Sequence, residues 1–581
     1  MKKRFFSTTM VLIIIAACIC GAGLAVYRAF FMPNGNVVPA FAEGGVNIVI
    51  EGDVMSGGGA SQVIDGRILV PLTIIEDRID PAINWDAKLH KLTVTTRDRV
   101  IRMKTGNLEA YINNKPVNLN IPVTESQGAV LVPLEFLSGF YNIEIKYLEE
   151  NNVVTIDFKN HSKQFAEPVS AKAVVRNGES IFSPIVRKLD DENAEDNRLR
   201  IFGESDKWYR VRTTGGVIGY IEKKFVEPGP EQAGEEPPDN DAKPVWAPAA
   251  GKLSMAWEYA YNTRINLSGK QKIEGLDVVS PTWFQVIGAD GEIKNSADAE
   301  YVKWAHDNGY KVWALFSNGF GDPQKTSGFL RNTDSRENAI RQMLAFTALY
   351  KLDGVNVDFE NLLDSDKDAL TQFVRELAPL LREQGLVVSV DVNTLRCYDR
   401  KALGEAADFV ALMAYDQHWS GGSEAGSVAE LDWVDRTVQN FLDAVPKEKL
   451  ILGIPFYTRL WKETTGEDGK NGLTSQALSM AAAGRIIREN KAAVNWDETS
   501  GQFYSEYVKD GATYKVWLED ANSINLRTSL VQKYDLAGAA AWRLDFELPT
   551  VWPDIVNNLK AIKSYDEWKR LNEGKTYVFA N

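Results

Sequence analysis

The sequence contains few cysteines and few histidines. Of its three cysteines, Cys18 and Cys20 lie in an apolar N-terminal run and only Cys397 lies elsewhere among the 581 residues. The chain beyond that run therefore cannot form an internal disulfide, and burial alone must hold its fold together. The four histidines are scattered, and no Cys/His spacing resembles that of a zinc site. The sequence thus predicts no metal and no cofactor.

Positive charge is also scarce. The 65 Lys and Arg residues are outnumbered by 79 Asp and Glu residues, which gives a net charge of −14. Because a surface that binds nucleic acid needs a basic patch, nucleic acid is excluded as a partner. The excess of acids is the kind that keeps a protein soluble, and we expect a monomer. The length predicts three or four domains, or fewer if one is a large barrel.

The N-terminus combines a basic start, MKKRFF, with an uncharged run over residues 10–27. A run of this length can just span a bilayer, and the positive-inside rule then keeps the start of the chain in the cytoplasm. We interpret residues 1–32 as a membrane-anchoring signal segment. A cleaved signal peptide and lipidation of Cys18, within IAAC, are the alternatives. Each predicts that residues 33–581 lie outside the cytoplasm of a bacterium.

Residues 46–160 contain a repeat with an offset of 62 residues. RILVPLTII (67–75) returns as AVLVPLEFL (129–137), and INWDAKLHKLTV (83–94) returns as IKYLEENNVVTI (145–156). Each copy predicts a strand, a short helix after Val-Pro-Leu and a closing hairpin. The repeat resembles the copper amine oxidase N-terminal-like domain of bacterial surface proteins, although no histidine cluster here could hold copper. A wall-facing binding unit and a purely structural spacer both remain open.

Two further segments precede the long C-terminal region. Residues 168–227 predict several short strands, and Trp208 followed by GYIEKKFV resembles a bacterial SH3-like domain. The alternative is a small β-barrel spacer. Residues 228–244 are rich in Pro, Gly and acidic residues and have no aromatic residue, which predicts a linker that buries no core.

From residue 245 to about 575, apolar strands alternate with amphipathic helices, the pattern of a parallel α/β fold. The predicted strands cover residues 253–260, 277–286, 310–317, 352–359, 385–393, 409–415, 450–457 and 537–544. Eight such strands predict a (β/α)8 TIM barrel, with a doubly wound open sheet as the alternative. Helices are expected at 296–309 and 335–351, capped by Ser296 and Ser335. Residues 458–535 predict a small α+β insertion before the last strand, including a hairpin at 501–520.

The fourth predicted strand, LDGVNVDFEN, carries polar residues at alternate positions. Asn356, Asp358 and Glu360 therefore point to the same face. A buried carboxyl group costs several kcal/mol unless it is paired or functional. In a barrel, reactive side chains lie at the carboxyl ends of the strands. Similar endings occur on the other strands, which carry Trp283, Asp391, Asn393, Tyr415, Asp416 and Trp542.

Two carboxyls with an aromatic floor are suited to breaking a glycosidic bond. A carboxylic acid with a raised pKa can protonate the leaving oxygen while another group stabilises the oxocarbenium-like carbon. DGVNVDFE (353–360) resembles the signature of glycoside hydrolase family 18, Asp-Gly-x-Asp-x-Asp-x-Glu. MAYD (413–416) and a tryptophan on the last strand are similar to further marks of that family, closest to its spore-germination and cortex-lytic branch.

This resemblance implies a role for each matching residue. Glu360 is expected to be the general acid/base, Asp358 to orient and polarise the 2-acetamido group, and Tyr415 to hydrogen-bond its carbonyl. Trp542 is expected to form the floor of the cleaved sugar's site. Three further residues are predicted to contact substrate, namely Asp416, Asn361 and Trp283. Asp353 is expected to be structural, and His418 to lie at the rim. Trp313 and Trp419, like Trp283, are predicted either to bind sugar or to pack in the core or at the rim.

The resemblance also implies a substrate-assisted, retaining mechanism on glycans with a 2-acetamido group. Asn356 departs from the signature by replacing an acid. Asp358 then loses a like-charge neighbour, so we expect its pKa to be lower than in a two-acid pair, with a shifted pH optimum.

We therefore predict an exported bacterial hydrolase that cleaves β-1,4 bonds next to N-acetylglucosamine-type sugars of peptidoglycan, including spore cortex. The alternatives are a chitinase and a catalytically silent, lectin-like wall-binding protein. A scaffold built around the repeats is a third reading.

Overall fold

A computed structural model describes residues 2–42, 44–55, 60–189, 197–235, 246–261, 263–465 and 471–579. The chain forms two compact units. The first comprises Met1–Ile83, Met103–Tyr111 and Pro116–Asn240, and the second comprises Asn84–Arg102, Ile112–Lys115 and Asp241–Asn581. Much of the predicted linker, from residue 236 to 245, lies outside the described residues.

The chain begins with the helix Lys2–Phe31. Across the residues that the structure describes, no helix has the length and apolar character needed to cross a membrane. This finding does not support the membrane anchor predicted for residues 1–32.

The repeat produces matching elements in its two copies. The first has strands Gln62–Ile64 and Arg67–Pro71 followed by helix Leu72–Arg78, and the second has Thr124–Ser126, Ala129–Pro133 and helix Leu134–Tyr141. The two Val-Pro-Leu strands pair antiparallel, with Val70 opposite Val132. Both helices start directly after the proline, which has no N–H to satisfy and so suits a helix start. The strand–helix order predicted from the repeat is confirmed.

The remaining strands of the repeat region form two sheets. One sheet has the order Ile143–Leu148, Val153–Phe158, Asn47–Ile50 and Asp53–Val54. The other runs through Asn84–Asp86, Lys91–Thr95, Val100–Lys104, Glu109–Ile112 and Lys115–Asn118. The closing hairpins of the two copies therefore belong to different sheets, which the repeat did not predict.

Residues 164–228 form an antiparallel sheet of short strands. Its order is Ile185–Lys188, Val174–Arg176, Ile218–Glu222, Trp208–Arg212, Leu199–Glu204, Gln164–Pro168 and Val226–Pro228. Strands Trp208–Arg212 and Ile218–Glu222 form a hairpin in which Trp208 lies opposite Glu222. The SH3-like assignment itself stays a prediction.

The second unit contains a closed barrel of eight parallel strands, as predicted. They are β1 Leu253–Glu258, β2 Val278–Val286, β3 Lys311–Ser317, β4 Gly354–Asp358, β5 Val387–Val392, β6 Phe409–Met413, β7 Leu450–Pro455 and β8 Gly538–Trp542. Each strand pairs with the next, and β8 pairs with β1. A Cβ on Gly538 would lie 2.1 Å from the carbonyl oxygen of Leu253, so only glycine fits where the barrel closes.

Helices surround the barrel. They are Ala299–Asp307, Pro323–Arg331, Thr333–Tyr350, Lys367–Glu383, Arg400–Ala406, Leu431–Leu442, Ala521–Lys533, Trp552–Val556 and Tyr565–Asn572. The predicted caps were wrong. Asp298 and Asn332, two and three residues from the predicted serines, accept the hydrogen bonds from the first helical N–H groups. Their carboxylate and amide oxygens reach these donors from outside the first turn.

The insertion between β7 and β8 is an α+β unit, as predicted. Its sheet has the order Asn471–Ser479, Tyr457–Thr465, Ala512–Leu518, Gln502–Lys509 and Val494–Asp497, with helix Met480–Glu489. The predicted hairpin corresponds to the pairing of Gln502–Lys509 with Ala512–Leu518.

Candidate active site

Strand β4 turns its two polar residues inward and its valines outward. Val355 and Val357 are fully buried in the hydrophobic layer between strands and helices. Asn356 and Asp358 alternate with these valines, and Asn356 reaches side chains of other strands within the barrel. Glu360 follows at the carboxyl end of β4, half-buried. The strand alternation predicted for these polar residues is therefore present.

Asn356 satisfies its amide through four side chains. Its Oδ1 accepts hydrogen bonds from Trp257 Nε1 at 2.8 Å and from Ser280 Oγ at 3.2 Å. Its Nδ2 donates to Ser389 Oγ at 2.9 Å and to Asp391 Oδ1 at 2.6 Å. The amide thereby links β4 to β1, β2 and β5 at the floor of the mouth.

Two more carboxyls adjoin this amide. Asp358 is 4% exposed and Asp391 is 1% exposed. Burial raises the pKa of Asp358 well above its usual range, and the neighbouring Glu360 and Asp391 add to the effect. Burial likewise raises the pKa of Glu360, to about 7, with a contribution from Asp416. The sequence argument compared Asp358 only with position 356 and so overlooked Asp391 as its like-charge neighbour.

The backbone around Glu360 is held on both sides. Asn318 Oδ1 accepts a 3.1 Å hydrogen bond from the N–H of Glu360, and its Nδ2 donates to the Glu360 carbonyl at 2.7 Å. The hydroxyl of Tyr398 donates to the carbonyl of Phe359 at 2.8 Å. These contacts fix the backbone from which the Glu360 side chain extends. The sequence reasoning missed both residues because neither is part of a motif.

Aromatic hydroxyls face the same carboxyls. Burial raises the pKa of Tyr415 well above its usual range, and the charges of Asp391, Tyr457 and Glu360 contribute. Tyr261, which follows β1, has a pKa raised by burial and by Asp358. Tyr415 was predicted here. Tyr261 was missed, although an aromatic residue directly after a barrel strand is a usable signal.

Asp416 lies one residue beyond Tyr415 in a left-handed conformation, with φ at 56°. Its Oδ1 accepts a hydrogen bond from the Tyr457 hydroxyl at 2.5 Å and a weaker one from Arg459 at 3.4 Å. Both partners come from the first strand of the insertion. Asp416 is therefore one of the residues through which the insertion contacts the mouth of the barrel.

Trp542 and Trp283 differ in their exposure. Trp542, at the end of β8, is half-buried and meets Trp257 edge-on with ring centroids 6.0 Å apart. Trp283 is 2% exposed and packs against Tyr301, a buried position that does not fit the substrate contact predicted for it. Along β2, Trp283 follows the alternation of Val279, which belongs to the same hydrophobic layer between strands and helices, so its side chain faces away from the interior of the barrel.

Trp313, Trp419 and His418 lie in three different environments. Trp313 is fully buried inside the barrel, where it packs against Trp246 and Phe409, so of its two predicted roles core packing fits. Trp419 is 54% exposed. His418 is half-buried, with Nδ1 2.8 Å from the carbonyl oxygen of Ser427.

Two other predicted residues serve local structure. Asp353 lies at the start of β4, where its carboxylate contacts Lys311 Nζ and His306 Nε2, each at 2.7 Å. Asn361 donates from Nδ2 to the carbonyls of Phe320 and Gly321 at 3.2 and 3.1 Å. Asn361 thus ties the end of β4 to the loop after β3.

A (β/α)8 barrel with a high-pKa carboxyl at its mouth is compatible with the general acid of a glycosidase. Residues 257–547 match the family model described as "Glycosyl hydrolases family 18", which covers half of the chain. The chain therefore belongs to glycosyl hydrolase family 18 and is a glycosidase. Residues 49–156 match the model described as "Copper amine oxidase N-terminal domain".

Several known proteins are similar to the barrel region. The chain is 26% identical over 287 residues to "Uncharacterized glycosylase YvbX" of Bacillus subtilis, covering 47% of this chain and 81% of that protein. It is 26% identical over 245 residues to a "Cortical fragment-lytic enzyme" of the same species, covering 40% of this chain and 56% of that protein. It thus spans little more than half the length of that second relative.

A solved structure is also similar to part of this chain. It is the spore cortex-lytic enzyme SleL of Bacillus megaterium, at 23% sequence identity and a TM-score of 0.49, covering 58% of this chain and 79% of that one.

Proposed function

We propose that the protein hydrolyses β-1,4 bonds next to 2-acetamido sugars, with Glu360 as the general acid and base. The observation that carries this proposal is the environment of Glu360. Burial and the nearby Asp416 raise its pKa to about 7. Among the described residues, no lysine or arginine is one of the groups that shift this pKa. A carboxyl with such a pKa can give and take a proton near neutral pH.

The reaction uses the substrate's own acetamido oxygen as nucleophile. Glu360 donates its proton to the leaving glycosidic oxygen while the acetamido oxygen bonds to the anomeric carbon. Water then opens the resulting oxazolinium ion, and the Glu360 carboxylate takes the proton that this water loses. The configuration at the anomeric carbon is retained because the carbon is attacked twice.

Asp358 and Tyr415 orient the acetamido group. Within the described residues, Oδ1 of Asp358 is buried and has no hydrogen-bond partner. A buried acceptor without a partner costs free energy, which an acetamido N–H would recover by donating to it. Tyr415 donates its hydroxyl proton to the acetamido carbonyl, and Trp542 provides an apolar face for the sugar ring. Asp416 contacts the sugar beyond the cleaved bond.

Peptidoglycan outside the cytoplasm is the substrate that we favour over chitin. A cortical fragment-lytic enzyme and a spore cortex-lytic enzyme are among the similar proteins. A rat di-N-acetylchitobiase is similar as well, at 25% identity over 276 residues, which keeps chitin oligomers as the second candidate.

Digestion by the full chain tests the proposal. Purified peptidoglycan, spore cortex and chitin oligomers are incubated with wild-type protein, and the products are identified by mass spectrometry. We expect new reducing ends at amino sugars, and none with Glu360→Gln. The control is Glu405→Gln, an exposed glutamate on helix Arg400–Ala406. If wild type and Glu360→Gln release the same products, the assignment of Glu360 is wrong.

Asn356 in place of the signature acid favours one other candidate, a lectin-like protein that binds wall glycan without cleaving it. Binding of glycan by wild type with no product from any of the three substrates would establish this alternative.

A further inference from the structure

The acid absent at position 356 has a counterpart on the neighbouring strand. Asp391, in β5, is 1% exposed, and its Oδ1 accepts a 2.6 Å hydrogen bond from Asn356. The pattern of the signature does not include this position. The groups that act on the carboxyl are Asn356, Glu360 and Trp257, and none of them is a cation.

The hydrogen bonds of Asn356 set the height of Asp391 in the barrel. Nδ2 of Asn356 donates hydrogen bonds to both Ser389 and Asp391, so its height along the barrel axis is between those of the two residues. Inward-facing residues of one strand are about 6–7 Å apart along that strand. Asp391 therefore lies above Asn356, towards Asp358. The pairing of Val357 with Val390 places the next residues, Asp358 and Asp391, side by side.

Two adjacent carboxyls in a dry site cannot both ionise without a large cost. Burial raises the pKa of Asp391 well above its usual range, Glu360 adds to this, and the hydrogen bond from Asn356 opposes it. Titratable groups also face the pair from other elements, namely Tyr261 after β1, Glu360 after β4, Tyr398 after β5 and Tyr415 after β6. All of these are acids. The described residues contain no set of three or more His, Cys, Asp and Glu side chains arranged to hold a metal ion.

We propose that Asp391 is the positioning partner of Asp358 and shares with it the proton that an acid at position 356 would share in the full signature. The inference rests on the proposed function. The pair carries one proton and one negative charge. When Asp358 accepts the acetamido N–H as a carboxylate, its proton moves to Asp391, and it returns when the product leaves. The total charge is unchanged and no proton leaves the site.

A relocation of the acid tests this role. Asp391→Asn should lower kcat by about 10- to 100-fold, with a smaller change in KM, because only the pair's proton is affected. It should also shift the pH profile to lower pH, because Asp358 loses a like-charge neighbour. The double variant Asn356→Asp/Asp391→Asn puts the acid back on β4 and should recover kcat to within about tenfold of wild type.

A matched control separates the proton from the hydrogen bond. Ser389→Ala removes the other acceptor of Asn356 Nδ2 without removing a carboxyl. It should leave the pH profile unchanged. Wild-type kcat and pH profile in Asp391→Asn would overturn the proposal, as would a double variant no more active than Asp391→Asn alone.

A second measurement does not depend on hydrolysis. Because the fold raises the pKa of Asp391, the native state binds protons more tightly than the unfolded chain, and stability falls as pH rises above about 4. In a Glu360→Gln background, Asp391→Asn should flatten this fall in unfolding free energy. If the unfolding free energy depends on pH in the same way with and without Asp391, the two aspartates do not share a proton. Absence of hydrolysis by wild type, with a flattened slope, overturns only the proposed function.

Discussion

Buried acids occur in two contrasting settings within the barrel unit. Glu376, on helix Lys367–Glu383, is fully buried and bonds Arg336 Nη2 at 2.8 Å and Arg102 Nη2 at 3.2 Å. Burial raises the pKa of Glu376, but the charges of the two arginines outweigh it and leave this pKa below its usual value. Asp358 and Asp391 are as deeply buried, yet their pKa values are raised.

The difference between these settings is the presence of a cation. Glu376, which has two arginine partners, stays ionised, and removing a partner from such a buried pair is costly. A buried acid whose neighbours are also acids keeps its proton, and its burial lowers the stability of the fold. Such a group is retained where its proton takes part in function. Burial alone therefore does not distinguish Asp358 and Asp391 from Glu376, whereas the absence of a counter-ion does.

The largest effect that we expect is on the paired acid. Glu376→Gln leaves Arg336 buried without a counter-charge and leaves Arg102 with Glu337 alone, so the unfolding free energy should fall by about 3–5 kcal/mol. Denaturant titration measures this change. Glu383→Gln, on the same helix and paired with Lys115 at the surface, should cost about 1 kcal/mol or less. Equal losses of unfolding free energy in the two variants would show that burial does not raise the cost of breaking an ion pair here.

The unpaired acid should behave in the opposite way. Asp358→Asn should reduce kcat by about 100-fold, since it removes the acceptor of the acetamido N–H. Stability at pH 8 should not fall, because the folded state no longer has to ionise a group whose pKa it raises. Steady-state kinetics and thermal unfolding of one preparation give both values. A loss of stability like that of Glu376→Gln would show that Asp358 is a structural acid.

The pH dependence should follow Glu360. Its pKa in the free protein is about 7, and the general acid works only when protonated. The value of kcat/KM should therefore fall about tenfold per pH unit above pH 7, since each unit removes nine-tenths of the protonated form. A profile that stays flat to pH 9 would assign proton donation to another group.

The smallest effect concerns the contact between the insertion and the mouth. Tyr457→Phe removes the 2.5 Å hydrogen bond to Asp416. Because Asp416 is exposed, water can replace this donor, and kcat/KM should fall by about tenfold or less. Kinetics on chitin oligomers of different length would show whether the loss grows with length, as expected for a residue beyond the cleaved bond.

Local sequence patterns were sufficient to predict the architecture of the barrel. All eight strands were predicted to within a few residues, because apolar runs bounded by helices have a clear period and length. The helix caps were wrong, since asparagine and aspartate caps compete with nearby serines over a few residues. Trp283 was assigned to the mouth of the barrel, although strand alternation places it with Val279 on the face of β2 that packs against the helices.

The amino-acid sequence by itself determined the strand order, the insertion, the repeat and the acid-bearing face of β4, because all of these follow from periodicity along one segment. Only the tertiary structure decided which acids meet which partners. Glu376 and Asp391 both look like isolated acids in the sequence, and the approach of distant segments gives one of them two arginines and the other an amide and two carboxyls. Electrostatic neighbours act across a few ångströms of space, whatever their separation along the chain.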